Sequence, residues 1–183
     1  MNDIYSKCTT YNMKRITLRQ TKLKDAKELL KCYSDEKAVP LFNSDNCHGD
    51  NFYYETMDRM EQAVKFWEYS YKNRYFVRWS VINNSTNEII GTIEMFHRNA
   101  DDKYDHYGVL RIDLQSRYET REIISEILEI ASENFYEIFD VRAIITKAVP
   151  EAVERIIALM NCGYKPTNEK LLIYDDYYVR FCE

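Results

Sequence analysis

Between residues 117 and 138, Ile124, Ile127, Leu128, Ala131, Phe135 and Ile138 recur at helical spacing and mark one apolar face. The stretch is bracketed by two β-rich runs, 106–114 (HYGVLRIDL) and 141–149 (VRAIITKAV). A helix of that length between two strands returns the chain across a sheet, so the strands lie parallel and the crossover is right-handed. The remaining elements must extend this β-α-β unit or cover it.

Upstream, residues 15–20 alternate as a short strand. Leu23, Ala26, Leu29, Leu30 and Tyr33 then form a helical stripe, with Thr21 as the expected cap. Residues 34–54 are polar and irregular and read as a long loop. Met57, Met60, Val64, Trp67 and Tyr71, spaced 3, 4, 3, 4, make 55–73 an amphipathic helix. Residues 75–82 (YFVRWSVI) and 88–97 (EIIGTIEMFH) flank NNSTN as a β-hairpin. Pro150 opens a helix over 151–162, which Gly163 ends. Residues 171–174 and 177–181 read as a closing hairpin. The order β α α β β β α β α β β implies one mixed α+β domain over residues 1–183, with 1–14 disordered or an extra N-terminal segment.

A chain of 183 residues buries one sizeable core, and 4 Gly and 3 Pro favour long regular elements over many tight turns. The net charge of −5 and pI near 5.4 argue against nucleic-acid binding. Residues 1–33 hold eight Lys/Arg against three Asp/Glu, a surplus of five that leaves −10 for the rest. Five cysteines, an odd number without C-x-x-C, suit a reduced cytoplasmic protein. The start lacks a signal pattern and no apolar run reaches membrane-spanning length, so a soluble, intracellular protein is expected.

Two stretches carry candidate chemistry. In the strands, Thr92 and Glu94, then Arg111 and Asp113, alternate with apolar residues; Leu110, Ile112 and Leu114 form the opposite face. If the register aligns them, Glu94, Arg111 and Asp113 share one sheet face, with Glu94 the first choice of general base and Asp113 the second. The structural reading of the same residues is an Arg111–Asp113 ion pair with Glu94 at a solvated edge. The second stretch, DLQSRYETREII at 113–124, joins strand to helix, a turn type suited to phosphate. It has no glycine, and Ser116-x-x-Glu119 reads equally as a capping box. His97 and His106 flank the 98–105 loop as weaker base candidates. Cys47, His48 and Asp50 match no common metal spacing, so no metal is expected. Tyr53, Tyr54 and Trp67 are placed to line an acceptor pocket, Trp67 also belonging to the core stripe.

The element order, with Ile90-Gly91 in EIIGTIEMF and Gly163-Tyr164 in MNCGYKP, resembles the GNAT superfamily of N-acetyltransferases over residues 15–182. The resemblance implies a mostly antiparallel sheet of six to seven strands flanked by about four helices. It implies acetyl-CoA as acyl donor, no metal, and transfer of the acetyl group to a primary amine of a small molecule or a protein N-terminus. Ile112 and Leu114 would pair with the pantetheine arm. Arg117, Thr120, Arg121 and Glu122 would lie at the pyrophosphate turn, with Thr120 and Glu122 standing where the superfamily has glycines. Arg111 would join Tyr53, Tyr54 and Trp67 at the substrate. Ala152 and Leu159 replace an Asn and a general-acid Tyr found in many relatives. The implied partners are acetyl-CoA and an amine, with no nucleic acid or membrane, in a monomer or homodimer. The alternative is a non-catalytic binding or interaction protein on the same fold.

Overall fold

A computed structural model describes residues 3–182. Its strands are β1 (Tyr11–Asn12), β2 (Ile16–Gln20), β3 (Val77–Asn83), β4 (Ile89–Arg98), β5 (Tyr107–Leu114), β6 (Ala143–Lys147), β7 (Lys165–Pro166) and β8 (Tyr177–Phe181). The helices are α1 (Ala26–Tyr33), α2 (Met57–Lys72), α3 (Arg121–Ile138) and α4 (Val153–Asn161). One sheet holds all eight strands in the order β1-β2-β3-β4-β5-β6-β8-β7. Only β5 and β6 run parallel, joined by α3 as the crossover requires.

Strand alternation sends two kinds of side chain to the two faces. Val77, Trp79, Val81, Ile93, Met95, Leu110, Ile112 and Leu114 turn toward Ile124, Ile127, Leu128 and Phe135 of α3 and Ala158 and Leu159 of α4. Burial of each large aliphatic side chain there contributes about 1.5–3 kcal/mol. Trp79 stacks on Phe135 with ring centroids 5.1 Å apart. The opposite face is covered by α1 and α2 through Leu29, Tyr33, Met60, Val64 and Trp67, with Phe42, Phe52 and Tyr54 from the loop between the helices. Gly91 lets β4 approach β5 closely: a Cβ there would collide with the Asp113 carbonyl oxygen. Gly163, at φ +81°, ends α4 in the left-handed region.

The strand count exceeds the expected six to seven because of two short edge pieces, β1 and β7. Three local expectations need correcting. Thr21 does not cap α1; its hydroxyl accepts from Ser80, and a 3-10 turn over Leu23–Asp25 precedes the helix. Thr56 does cap α2, accepting from the Arg59 N–H at 3.3 Å. Ser116-x-x-Glu119 forms no capping box: Ser116–Tyr118 is a 3-10 turn, α3 starts at Arg121, and the Glu119 carboxylate reaches Arg155 instead. The closing hairpin pairs β7 with β8, whereas Leu171 and Tyr174 make only an isolated bridge.

Candidate active site

The three central strands lay their polar residues in two rows. Arg78 on β3 faces Glu94 on β4, which faces Arg111 on β5. One step along, Ser80 faces Thr92, which faces Asp113. The register therefore brings Glu94, Arg111 and Asp113 to one face, but the pairing differs from the expected Arg111–Asp113 bridge. Arg111 Nη1 bonds Glu94 Oε1 at 2.7 Å, and Arg78 Nη2 bonds Glu94 Oε2. Arg78 Nη1 reaches Asp113 Oδ2 at 3.1 Å, the Tyr33 hydroxyl at 2.8 Å and the Thr92 hydroxyl at 3.0 Å. Tyr33 donates to Asp113 Oδ2 at 2.7 Å. Glu94 is buried, 2% exposed, not at a solvated edge.

The two carboxylates respond differently to the same burial. Burial raises the Glu94 pKa, but the Arg78 and Arg111 guanidiniums more than offset it and hold Glu94 below the usual carboxylate range. Burial also raises Asp113, and there the single guanidinium of Arg78 and the Tyr33 hydroxyl do not restore it. Asp113 Oδ1 has no hydrogen-bond partner within the protein. The face thus presents one carboxylate clamped by two arginines, its pKa lowered, and a second on Arg78 alone, its pKa raised by burial.

Above Glu94 lies a cavity of about 260 Å³. Its floor is Arg78, Glu94 and Arg111, and its walls include Phe52, Tyr54 and Trp67. The Arg78 guanidinium sits 4.2 Å from the Trp67 ring centroid, so Trp67 serves both core and cavity. Tyr53 is not among the lining residues. Its neighbour Phe52, held at φ +62° in the 34–54 loop, takes that place. Cys47, His48 and Asp50 line the rim, and no group of metal-ligating side chains occurs among the described residues. His97 and His106 contact each other, ring centroids 4.9 Å apart, and line no part of this cavity.

Beside the cavity the sheet opens. β5 pairs with β4 as far as Leu114, but its pairing with β6 ends at Leu110 opposite Thr146. The Gln115 N–H bonds the Ile90 carbonyl, so by strand alternation the backbone groups of Arg111 and Asp113 face β4. Those of Ile112 and Leu114 therefore turn into the wedge between β5 and β6. At the wedge's mouth stand the N-terminal ends of α3 and α4. Arg155 of α4, fully buried, makes a bidentate pair with Glu119 at 2.6 and 2.8 Å and bonds the Leu41 carbonyl. Arg121 makes a second bidentate pair with Glu154, at 2.9 Å for both bonds, and its backbone N–H also bonds Glu154. Arg117 pairs with Glu88, and the Ser116 N–H donates to Asp35. Thr120 is the helix cap residue without a side-chain cap bond, and Glu122 is exposed on the first turn of α3.

An open wedge between parallel strands beside a carboxylate-floored cavity agrees with what the sequence resembles. The protein-family model described as an acetyltransferase (GNAT) domain matches residues 15–165. The chain belongs to the GNAT acetyltransferase family. A GNAT-family acetyltransferase from Bacillus anthracis superposes with a TM-score of 0.70 at 15% identity, over 94% of this chain and 98% of that one. Ribosomal-protein-S5-alanine acetyltransferase from Vibrio fischeri gives 0.68 at 14% identity, over 96% and 97%. RimJ from Mycobacterium smegmatis, in complex with CoA-disulfide, gives 0.71 at 10% identity, over 91% and 81%. At these identities the structures establish a shared GNAT fold. No curated protein matches the chain.

Sequence reasoning missed Arg78 and Arg155. Arg78 had a readable signal, because Arg78 and Ser80 alternate in β3 as Thr92 and Glu94 do in β4. Arg155 had none, since its partner Glu119 lies 36 residues away in the turn between β5 and α3.

Proposed function

We propose that this GNAT protein moves an acetyl group from acetyl-CoA to a primary amine, carried by a small molecule or a polypeptide N-terminus, in a direct ternary complex. The observation that carries the reading is the wedge beside the cavity: an acyl donor lying along β5 and an amine entering over Glu94 would meet there. The donor set suits coenzyme A. Ile112 and Leu114 would offer backbone groups to the pantetheine arm. Arg117 and Arg121 would face the pyrophosphate, charge-matched in place of the glycine-rich turn, with Thr120 and Glu122 flanking them. The bound thioester supplies an acyl carbon open to nucleophilic attack.

The protein's own part is to bind, orient and deprotonate the amine. Glu94, ionised between its two arginines, can receive an ammonium, and it gains the basicity to take the proton only as an arginine contact opens. Its Arg111 bond lies on the cavity side, where Arg111 is 13% exposed, and opening that bond frees Oε1. Asp113, with its raised pKa and free Oδ1, is the second proton acceptor. Phe52, Tyr54 and Trp67 would exclude water around the acceptor, with Tyr53 at the loop surface beside them. Ribosomal-protein acetyltransferases among the similar structures make a polypeptide N-terminus one acceptor to test. Five cysteines, an odd number without C-x-x-C, suit a reducing cytoplasm. No helix among the described residues is long and apolar enough to cross a membrane.

A non-catalytic reading is favoured by one observation, the Glu119–Arg155 pair and Leu41 carbonyl standing at the wedge's mouth. Thermal melting separates the two. A bound donor at hundredfold excess over its Kd adds about 2.7 kcal/mol to the native state, which raises the Tm clearly. No shift with millimolar acetyl-CoA would leave only the non-catalytic reading. Given a shift and an identified amine, Glu94→Gln should lower kcat at least about a hundredfold; undiminished turnover would clear Glu94 of the base role.

A further inference from the structure

At the mouth of the wedge the chain's own carboxylates already occupy the cations that a phosphate would seek. Glu119 fills the guanidinium fork of Arg155, and Glu154 fills that of Arg121 together with its backbone N–H at the start of α3. A bidentate guanidinium fork accepts carboxylate and phosphate oxygens in the same geometry. The two sites differ in depth. The Arg155 and Glu119 side chains are 1% and 7% exposed, those of Arg121 and Glu154 48% and 39%. Arg155 also holds the Leu41 carbonyl, tying the loop between α1 and α2 to the same place.

We propose that Glu119 and Glu154 are internal stand-ins for a pyrophosphate, and that Arg155 and Arg121 are its ligands, released by carboxylate-for-phosphate exchange when the acyl donor binds. The proposal rests on the acyltransferase reading and adds Arg155 to the donor site. Exchange explains how a turn without glycines serves an anion: the attraction comes from guanidiniums rather than from closely approaching backbone N–H groups. It also makes donor binding a competition. Each incoming phosphate oxygen replaces a carboxylate that must move to solvent, while Nη1 of Arg155 keeps the Leu41 carbonyl.

The test measures CoA binding by calorimetry on the full chain, with pantetheine, which lacks phosphates, as a second probe. Wild type, Glu154→Gln and Glu119→Gln are compared, their folding checked by circular dichroism. The expected result is CoA binding tightened about threefold by Glu154→Gln, whose exposed pair is weak. Glu119→Gln, which removes the buried competitor, should tighten it about tenfold. Pantetheine affinity stays the same in all three. If Glu119→Gln does not fold, the surface variant Glu154→Gln decides alone. CoA binding to wild type that is unchanged or weakened in the folded variants overturns the exchange and leaves the acyltransferase reading standing. Tightening that extends equally to pantetheine overturns it too, because the gain then lies outside the phosphates. Absence of CoA binding from every folded protein overturns both readings together.

Discussion

Arg78 links two buried carboxylates that would otherwise keep only Arg111, on Glu94, and the Tyr33 hydroxyl, on Asp113. It is 4% exposed, bonds both Glu94 and Asp113, and lies against Trp67. Arg78→Met should therefore cost about 3–5 kcal/mol, read as a lowered midpoint in urea unfolding at neutral pH. Tyr33→Phe, which removes one donor to Asp113, should cost about 1–3 kcal/mol. The pH dependence separates the carboxylates. Glu94 has a lowered pKa in the folded state, so its contribution is present above its ordinary value of 4.5 and is lost as pH falls through the folded pKa. Asp113 has a raised pKa, so its contribution is complete below 3.8 and is lost as pH rises. Glu94→Gln should flatten the acid limb of the stability profile below pH 4.5; an unchanged limb would assign it to other carboxylates. The period-2 alternation of the two strands is enough to put Glu94, Arg111 and Asp113 on one face. It does not tell which acid each arginine takes, because that depends on the exact register of three strands and on a third strand's arginine.

Among the elements, the helices are legible because their periodicity is local. Residues 55–73 read as a helix and α2 spans Met57–Lys72. The opening segment is not, because its docking is long-range. Trp79 donates to the Thr9 carbonyl, Tyr71 to the Ile4 carbonyl, and Glu126 on α3 accepts from the N–H groups of Arg15 and Ile16. No pattern within residues 3–13 announces those partners. Docking leaves a titration signature. Burial pushes the Tyr5 hydroxyl and the Cys8 thiol up to about 12 each, from ordinary values of 10.0 and 9.0. A raised folded pKa gives stability that is complete below the ordinary value and lost as pH climbs toward the folded one. Thermal stability should fall from about pH 9 toward pH 12 in the wild type, and the double variant Tyr5→Phe, Cys8→Ser should show a shallower fall. Equal slopes would mean that this segment does not govern the alkaline limb.

At the scale of the molecule, the order of elements is enough to imply the sheet and the crossover, since a β-α-β unit in a mixed sheet leaves few topologies, whereas the wedge shows only in where the β5–β6 pairing ends. The path of the 34–54 loop is not implied, because polar irregular sequence says where a chain is free of helix and strand but not what it crosses. The loop bridges the parts of the sheet that the wedge separates. Asp45 accepts from Lys147 on β6 at 2.7 Å and from Tyr177 on β8 at 3.1 Å, while its carbonyl accepts from Arg111 on β5 at 3.0 Å. Asn43 bonds Tyr177, and Leu41 bonds Arg155 of α4. The bridge is made of a few polar contacts, whereas α3 is packed into the main core, so the two should open independently. Asp45→Ala removes the carboxylate shared by Lys147 and Tyr177 and should cost about 1–3 kcal/mol locally. Hydrogen exchange should then speed up across residues 41–46 while the amides of α3 keep their protection. Equal acceleration in α3 would mean that the loop and the core open as one unit, and that the wedge cannot be uncovered without unfolding the domain.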